Sequence, residues 1–411
     1  MRANVGGNAR VLKVFLCCFL AAITVFFIFQ VADGSQQGRG EAAGLPDDAS
    51  SRRDTYSISD LFHDLLEEVE EVSVRQVNPA WELPVQGEVF IAAEKGSLFL
   101  TSTLGQVMAV NASTGQIQWV LDLGVWVSAS PAVERGVVYV GATNHVLYAL
   151  DAGSGALLWY FTSQGEILAS PVADDDMVFF CADNDSIYNL MHRLYALDAR
   201  TGKLLWFHDT TSWTPSAPAV GEGGVYIGGY RRYVCALDKY TGQELWTYPA
   251  SNIVLSSPRV MEDKVLFTSI NGWVHALDKA SGMTEWSSRL ASFVWLAPYD
   301  GGDDIYACSL RNTLDAIMLD SGEARWSFEM DDFLSCASRP EDGTVYAFGS
   351  QGRISLLDSA TGEQFGLLIT PHDLSSRPLL EGSYLYTTSS DGVVRSYALP
   401  EAVLMAGGAG Y

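Results

Sequence analysis

The chain has 411 residues, 48% of them hydrophobic and 18% charged, with a formal net charge of −24. It carries enough apolar material for a large core, and length alone suggests two or three domains, a prior that weakens for repeat folds. The acidic balance excludes a nucleic-acid binder, since phosphates demand Lys and Arg, and excludes broad adhesion to anionic lipid.

Arg2, Arg10 and Lys13 precede an apolar run, Val14–Phe29, that extends to Ala32. The run is long for a signal-peptide core and just sufficient to cross a bilayer. Residues 1–33 are therefore expected to form an uncleaved signal anchor. This transmembrane helix leaves its N-terminus in the cytoplasm and the rest of the chain extracytoplasmic, in a periplasm, a lumen or outside the cell. Secretion after cleavage following Gly34 is the alternative. Residues 34–56, rich in Ser, Gln, Gly and charge, read as a flexible stalk. Residues 57–76 read as an acidic amphipathic helix. Ile58, Leu61, Phe62, Leu65, Val69 and Val72 recur at helical spacing, and Ser57 or Ser59 can cap the start. The apolar stripe either packs on the domain that follows or offers a self-association face.

From residue 77 to 400 one phrase recurs: ALDAGSGALLW at 149–159, ALDARTGKLLW at 196–206, ALDKYTGQELW at 236–246 and ALDKASGMTEW at 276–286. Its glycines are Gly115, Gly155, Gly202, Gly242, Gly282, Gly322 and Gly362, spaced by 40, 47, 40, 40, 40 and 40 residues. A fixed period near forty with four short strands per unit is the mark of a β-propeller. In the phrase, the Asp bonds turn amides, the Gly takes a left-handed turn conformation, and the Trp fills the gap between adjacent sheets. A buried Trp covers about 150–250 Å², an upper bound of roughly 4–6 kcal/mol. The docking residues are Trp119, Trp159, Trp206, Trp246, Trp286 and Trp326, joined by Trp81 near the start. Three units depart from the phrase: Asn111 and Met318 replace the Asp in the first and sixth, and Gly366 replaces the Trp in the seventh. Those three are expected to dock less regularly.

First strands align near Ile91, Pro131, Pro171, Pro218, Pro258, Pro298, Ser338 and Pro378, which makes eight units. The eighth lacks a fourth strand after Leu399. The segment Trp81-Glu82-Leu83 looks like that missing strand and closes the ring. The expected fold is thus all-β, an eight-bladed propeller, with a C-terminal tail at 401–411.

The phrase closely resembles the tryptophan-docking motif of pyrroloquinoline-quinone-like propellers, over about 81–400. Enzymes of that superfamily hold quinone and calcium in the central channel, with an adjacent-cysteine disulfide against the cofactor. Here the only adjacent pair, Cys17-Cys18, precedes the propeller, and no nucleophile elbow, zinc pattern or phosphate loop is visible. The six histidines and the remaining cysteines (Cys181, Cys235, Cys308 and Cys336) follow no ligand spacing and read as surface or buried structural groups, with a Cys308–Cys336 bridge left open. The seven extra residues of the third unit, at DNDSIYNLMH, lack the Gly and distal Glu of a calcium loop and read as a lengthened hairpin. No cofactor, no metal and no enzyme activity are expected. The resemblance is strongest to the non-enzymatic, BamB-type propellers of outer-membrane β-barrel assembly, which implies protein partners. A quinone-dependent dehydrogenase or a ligand sensor is the alternative.

Function is sought where the repeats differ. Five residues before each first strand stand Trp126, Glu166, Trp213, Ile253, Phe293, Phe333 and Asp373, expected to ring one mouth of the central channel. These side chains either plug the hub or grip a partner chain. The expected contacts are protein partners on the propeller rim and a membrane through the N-terminal helix. Asn111 and Asn184 head Asn-x-Ser sequons, the acceptor pattern of N-glycosylation.

Overall fold

The structure is a computed structural model that describes residues 73–183, 192–210, 214, 216–290, 299–309, 311–332, 334–337, 343–374, 378–389 and 392–399. The expected anchor (1–33), stalk (34–56), tail (401–411) and residues 57–72 of the expected helix lie outside these. Among the described residues no helix is long and apolar enough to cross a membrane.

The described chain forms eight sheets, each built on successive antiparallel strands, and two of the sheets take an added strand from the N-terminal segment. Blade 1 runs from Val89 to Asp122, blade 2 from Ala132 to Thr162, and blade 3 from Val172 to Thr210. Blades 4 to 7 span Ala219–Pro249, Arg259–Arg289, Tyr299–Glu329 and Leu334–Ile369. Blade 8 supplies three strands between Leu379 and Ala398. First strands of neighbouring blades lie against one another in blades 1 to 5 and between blades 8 and 1, so they line the axis. Second strands such as Val137–Gly141, Gly224–Gly229 and Thr344–Gly349 are almost wholly buried, because each blade is sandwiched between two others. Their runs of Val, Ile, Tyr and Phe suit burial on both faces. Outer strands alternate exposed and half-buried positions, as in Leu157–Thr162.

Ring closure follows the expectation. Strand β2 (Trp81–Pro84) pairs antiparallel with Val393–Ala398, with Trp81 opposite Ser396, and completes blade 8. Strand β1 (Ser73–Gln76) corrects one boundary. These last four residues of the expected helix are extended and add to blade 7 in parallel with Gln364–Ile369, Ser73 opposite Gly366. Blade 7 differs again at its axis, where the first strand is Leu334–Ala337, just before Ser338 rather than beginning there.

The seams between blades repeat one geometry. The Trp indole Nε1 donates to the backbone carbonyl that follows the motif Asp in the next blade. Trp119 reaches Ala152 at 2.8 Å, Trp159 reaches Ala199 at 3.0 Å, Trp206 reaches Lys239 at 3.0 Å and Trp246 reaches Lys279 at 3.1 Å. The ring lies flat against the next blade's glycine: a Cβ on Gly242 would sit 2.5 Å from Trp206 Cε3, and one on Gly362 2.5 Å from Trp326 Cδ2. Gly therefore meets two demands here, a φ of +70° at Gly242 and no room for a side chain.

Two of the three expected irregular seams are regular. Trp81 Nε1 reaches the Ala112 carbonyl at 2.9 Å beside Asn111, and Trp286 Nε1 reaches Leu319 at 2.8 Å beside Met318. The turn itself is held by backbone: Gly115 N donates to Asn111 O, and Gly322 N to Met318 O, both at 2.9 Å. Asn111 Oδ1 still takes the Asp's bonds, from Thr114 N at 3.0 Å and Thr114 Oγ1 at 2.9 Å. The third seam departs in an ordered way. Elsewhere a fully buried Ala sits opposite the Trp, as Ala236 does opposite Trp246; in blade 7 Leu356 sits opposite Gly366. The volume has moved across the strand pair. After the third strand of blade 8 the sequence has no glycine at the motif place to receive an indole, and in blade 7 the larger side chain is Leu356 on the third strand.

Candidate functional site

The described loops at Trp126, Glu166 and Ile253 bond through the backbone to the hairpin between the second and third strands of the blade they enter. Thr143 N donates to Trp126 O at 3.0 Å, Ile270 N to Ile253 O at 3.0 Å, and Glu166 and Asp183 exchange both bonds at 2.7 and 2.8 Å. The next residue reaches back to the preceding blade, as Ile167 N does to Ala142 O at 3.2 Å and Leu374 N to Ser350 O at 2.8 Å. Its aliphatic side chain is buried: Val127, Ile167 and Val254 are fully enclosed and Leu374 nearly so. A Cβ on Gly141 would lie 2.3 Å from Ile167 Cγ2, and one on Gly228 2.5 Å from Val254 Cγ1. Among the described loops, those carrying Ile167 and Val254 are thus bonded both to the blade they enter and to the preceding one.

On that frame the expected ring is chemically mixed. Trp126, Glu166 and Ile253 are half-buried and Asp373 is exposed, while Trp213, Phe293 and Phe333 lie outside the described residues. The Trp126 Nε1 is buried and finds no acceptor among the described residues. At the base of the long third-unit hairpin, His192 Nδ1 and Asp183 Oδ1 are 2.7 Å apart; Asn184 and the rest of that hairpin lie outside the described residues. Asn111, the other sequon residue, is half-buried with its Oδ1 engaged in the turn.

Sequence reasoning missed a second surface. On outer strands the positions one before and one after the docking Trp point outward. Blade 2 has Leu158 and Tyr160 there, and blade 3 has Leu205 and Phe207, with exposures of 51%, 63%, 47% and 45%. Ile117 and Val120 on blade 1 and Leu157 and Leu204 on blades 2 and 3 enlarge the same face. Blades 5 and 6 carry Glu285, Ser287, Arg325 and Ser327 at the matching places. The propeller therefore does not require apolar side chains there, and exposed apolar side chains gathered on neighbouring blades are a marker of contact with another macromolecule. Aligning the outer strands unit by unit, rather than the entering loops, would have exposed it.

A family model described as the outer membrane protein assembly factor BamB matches residues 103–193 and 190–399. The chain belongs to this family. Among solved structures, BamB from Moraxella catarrhalis is 21% identical, with a TM-score of 0.65, covering 78% of this chain and 97% of that one. The computationally designed protein Ika8 is 17% identical, with a TM-score of 0.68 and coverages of 79% and 99%. The quinohemoprotein alcohol dehydrogenase ADHIIG from Pseudomonas putida HK5 is 14% identical, with a TM-score of 0.63 and coverages of 78% and 76%. At such identities the likeness concerns the fold. No curated protein sequence matches the chain significantly. The BamB-family assignment agrees with the resemblance read from the docking phrase, and both BamB and quinoprotein dehydrogenases share the architecture.

Proposed function

We propose that this BamB-family propeller is an interaction scaffold for protein partners in envelope or membrane-protein assembly, tethered to a membrane by residues 1–33 with the propeller extracytoplasmic. The observation that carries the reading is the apolar face on the outer strands of blades 1 to 3, which the repeat itself marks as dispensable for folding. The half-buried Trp126 and Ile253 and the exposed Asp373 support a second contact region at the channel, the expected ring.

The test is crosslinking and capture from native membranes. A quadruple variant, Leu158→Glu, Tyr160→Ser, Leu205→Glu and Phe207→Ser, installs the residues of blade 5 and is expected to fold normally but lose its partners. The Trp126→Ala/Trp213→Ala/Phe333→Ala variant reports separately on the mouth. Capture of the same partners by both variants would sink the reading. The structural likeness to a quinohemoprotein dehydrogenase favours one alternative, a quinone-dependent enzyme. That reading requires dye reduction by the full chain supplied with pyrroloquinoline quinone and calcium, and absence of both binding and turnover removes it.

A further inference from the structure

Each seam has a second layer beside the tryptophan. The residue two places after the docking Trp, on the outer strand of one blade, faces the residue just before the motif Ala on the third strand of the next. Phe161 meets Tyr195 with ring centres 5.6 Å apart, and Tyr248 meets His275 at 6.0 Å. Leu121 and Tyr148 occupy the same places in the seam between blades 1 and 2 and share its core. Between blades 3 and 4 the pair is His208 and Cys235. Glu244, at a place where blades 2 and 3 have Leu157 and Leu204, joins them. A ring nitrogen, the sulfur and a carboxylate oxygen of these three lie within 4.8 Å of one another.

We propose that His208, Cys235 and Glu244 form a zinc site that clips blade 3 to blade 4. Imidazole, thiolate and carboxylate are the donor types zinc accepts, at about 2.0–2.3 Å, so ligand atoms stand under roughly 4 Å apart around the ion. Small side-chain rotations close the remaining distance. The soft thiolate and the imidazole select zinc over calcium or magnesium. One thiolate and one carboxylate cancel the charge of the dication, which suits a seam where Cys235 is buried and His208 half-buried. Thr247 Oγ1 donates to Glu244 Oε1 at 2.9 Å and orients the carboxylate. Glu244 is exposed, which leaves an entry path and a fourth position for water. Burial pushes the Cys235 thiol up to about 12, so the entering metal displaces its proton to solvent. The two preceding seams supply the control: Leu121 with Tyr148 and Phe161 with Tyr195 pack this layer there, so it can be filled without metal-binding side chains.

The experiment uses full-length, untagged protein stripped with chelator and equilibrated with buffered zinc. About one zinc per chain is expected by elemental mass spectrometry, and cobalt in its place should show a thiolate charge-transfer band. His208→Phe and Glu244→Leu introduce the residues that blade 2 carries at these places, so both variants should fold; each is expected to weaken zinc binding at least about tenfold. Cys235→Ser should remove the cobalt band, and Cys181→Ser should leave it. Wild-type protein that takes up no zinc at micromolar free metal overturns the proposal, as does binding that is unchanged in all three site variants.

Discussion

The indole-on-glycine seam can be weighed by two substitutions in one blade. Gly242 and Gly223 both belong to blade 4 and both have positive φ, +70° and +76°. A Cβ on Gly223 meets nothing within 4 Å, whereas one on Gly242 falls 2.5 Å from Trp206 Cε3 and 2.6 Å from Cδ2. Ala at either place bears the same backbone cost, about 1 kcal/mol. Gly242→Ala must also push back an indole buried between blades, about 1–3 kcal/mol of overpacking. Displacing that ring stretches the bond from Nε1 to Lys239 O, now 3.0 Å, worth about 1 kcal/mol more. Gly223→Ala is therefore expected to cost about 1 kcal/mol and Gly242→Ala about 3–5 kcal/mol. Urea and thermal melts of the two variants beside wild type measure the difference. Shrinking the ring should restore part of the loss, so Gly242→Ala/Trp206→Phe should be less destabilised than the sum of its single changes. Equal costs at Gly223 and Gly242, or strict additivity in the double variant, would refute the claim that the glycine is required by the ring.

Other outcomes follow from the same geometry. His275 is buried, with Nδ1 2.7 Å from Ser287 Oγ and its ring stacked on Phe267 at 4.8 Å, and burial pulls its pKa down to about 4. The folded state thus prefers neutral imidazole. Stability should be full above pH about 6.5 and fall by up to about 3 kcal/mol as pH drops toward 4, a loss that His275→Met should abolish in pH-dependent melts. The motif carboxylates Asp151, Asp198, Asp238 and Asp278 are held below the usual range by hydroxyl bonds from Ser154, Thr201, Thr241 and Ser281. Their contribution is present above the ordinary Asp value and lost only in stronger acid, so Asp238→Asn should leave the loss between pH 6.5 and 4 unchanged. Leu356→Ala empties the one seam that has no indole and should cost about 2–5 kcal/mol, whereas Gly366→Trp should also destabilise, because Leu356 already fills that space.

Much of this fold was legible before any coordinates. The forty-residue recurrence set the number of blades, since each unit must bury both faces of its sheet against copies of itself. Trp81-Glu82-Leu83 was readable as the closing strand because the eighth unit stops one strand short. The seam chemistry was less legible. Units without the Asp are expected to dock less regularly, yet the Asn111 and Met318 seams dock normally, because backbone bonds and an open glycine face hold the turn. The helical apolar rhythm ends at Val72, and Ser73–Gln76, counted within the expected helix, instead adds a parallel strand to the edge of blade 7.

The sequence alone determined the local and periodic properties of this protein: strand order, turn glycines, docking tryptophans and the ring's closure, all written within single units or by their repetition. Only the tertiary structure decided what meets across a seam. His208 and Cys235 share no motif spacing, and which outer-strand apolar side chains of blades 1, 2 and 3 stay exposed is set only once the blades stand side by side. Such contacts join residues of different units, and no period within the chain encodes them.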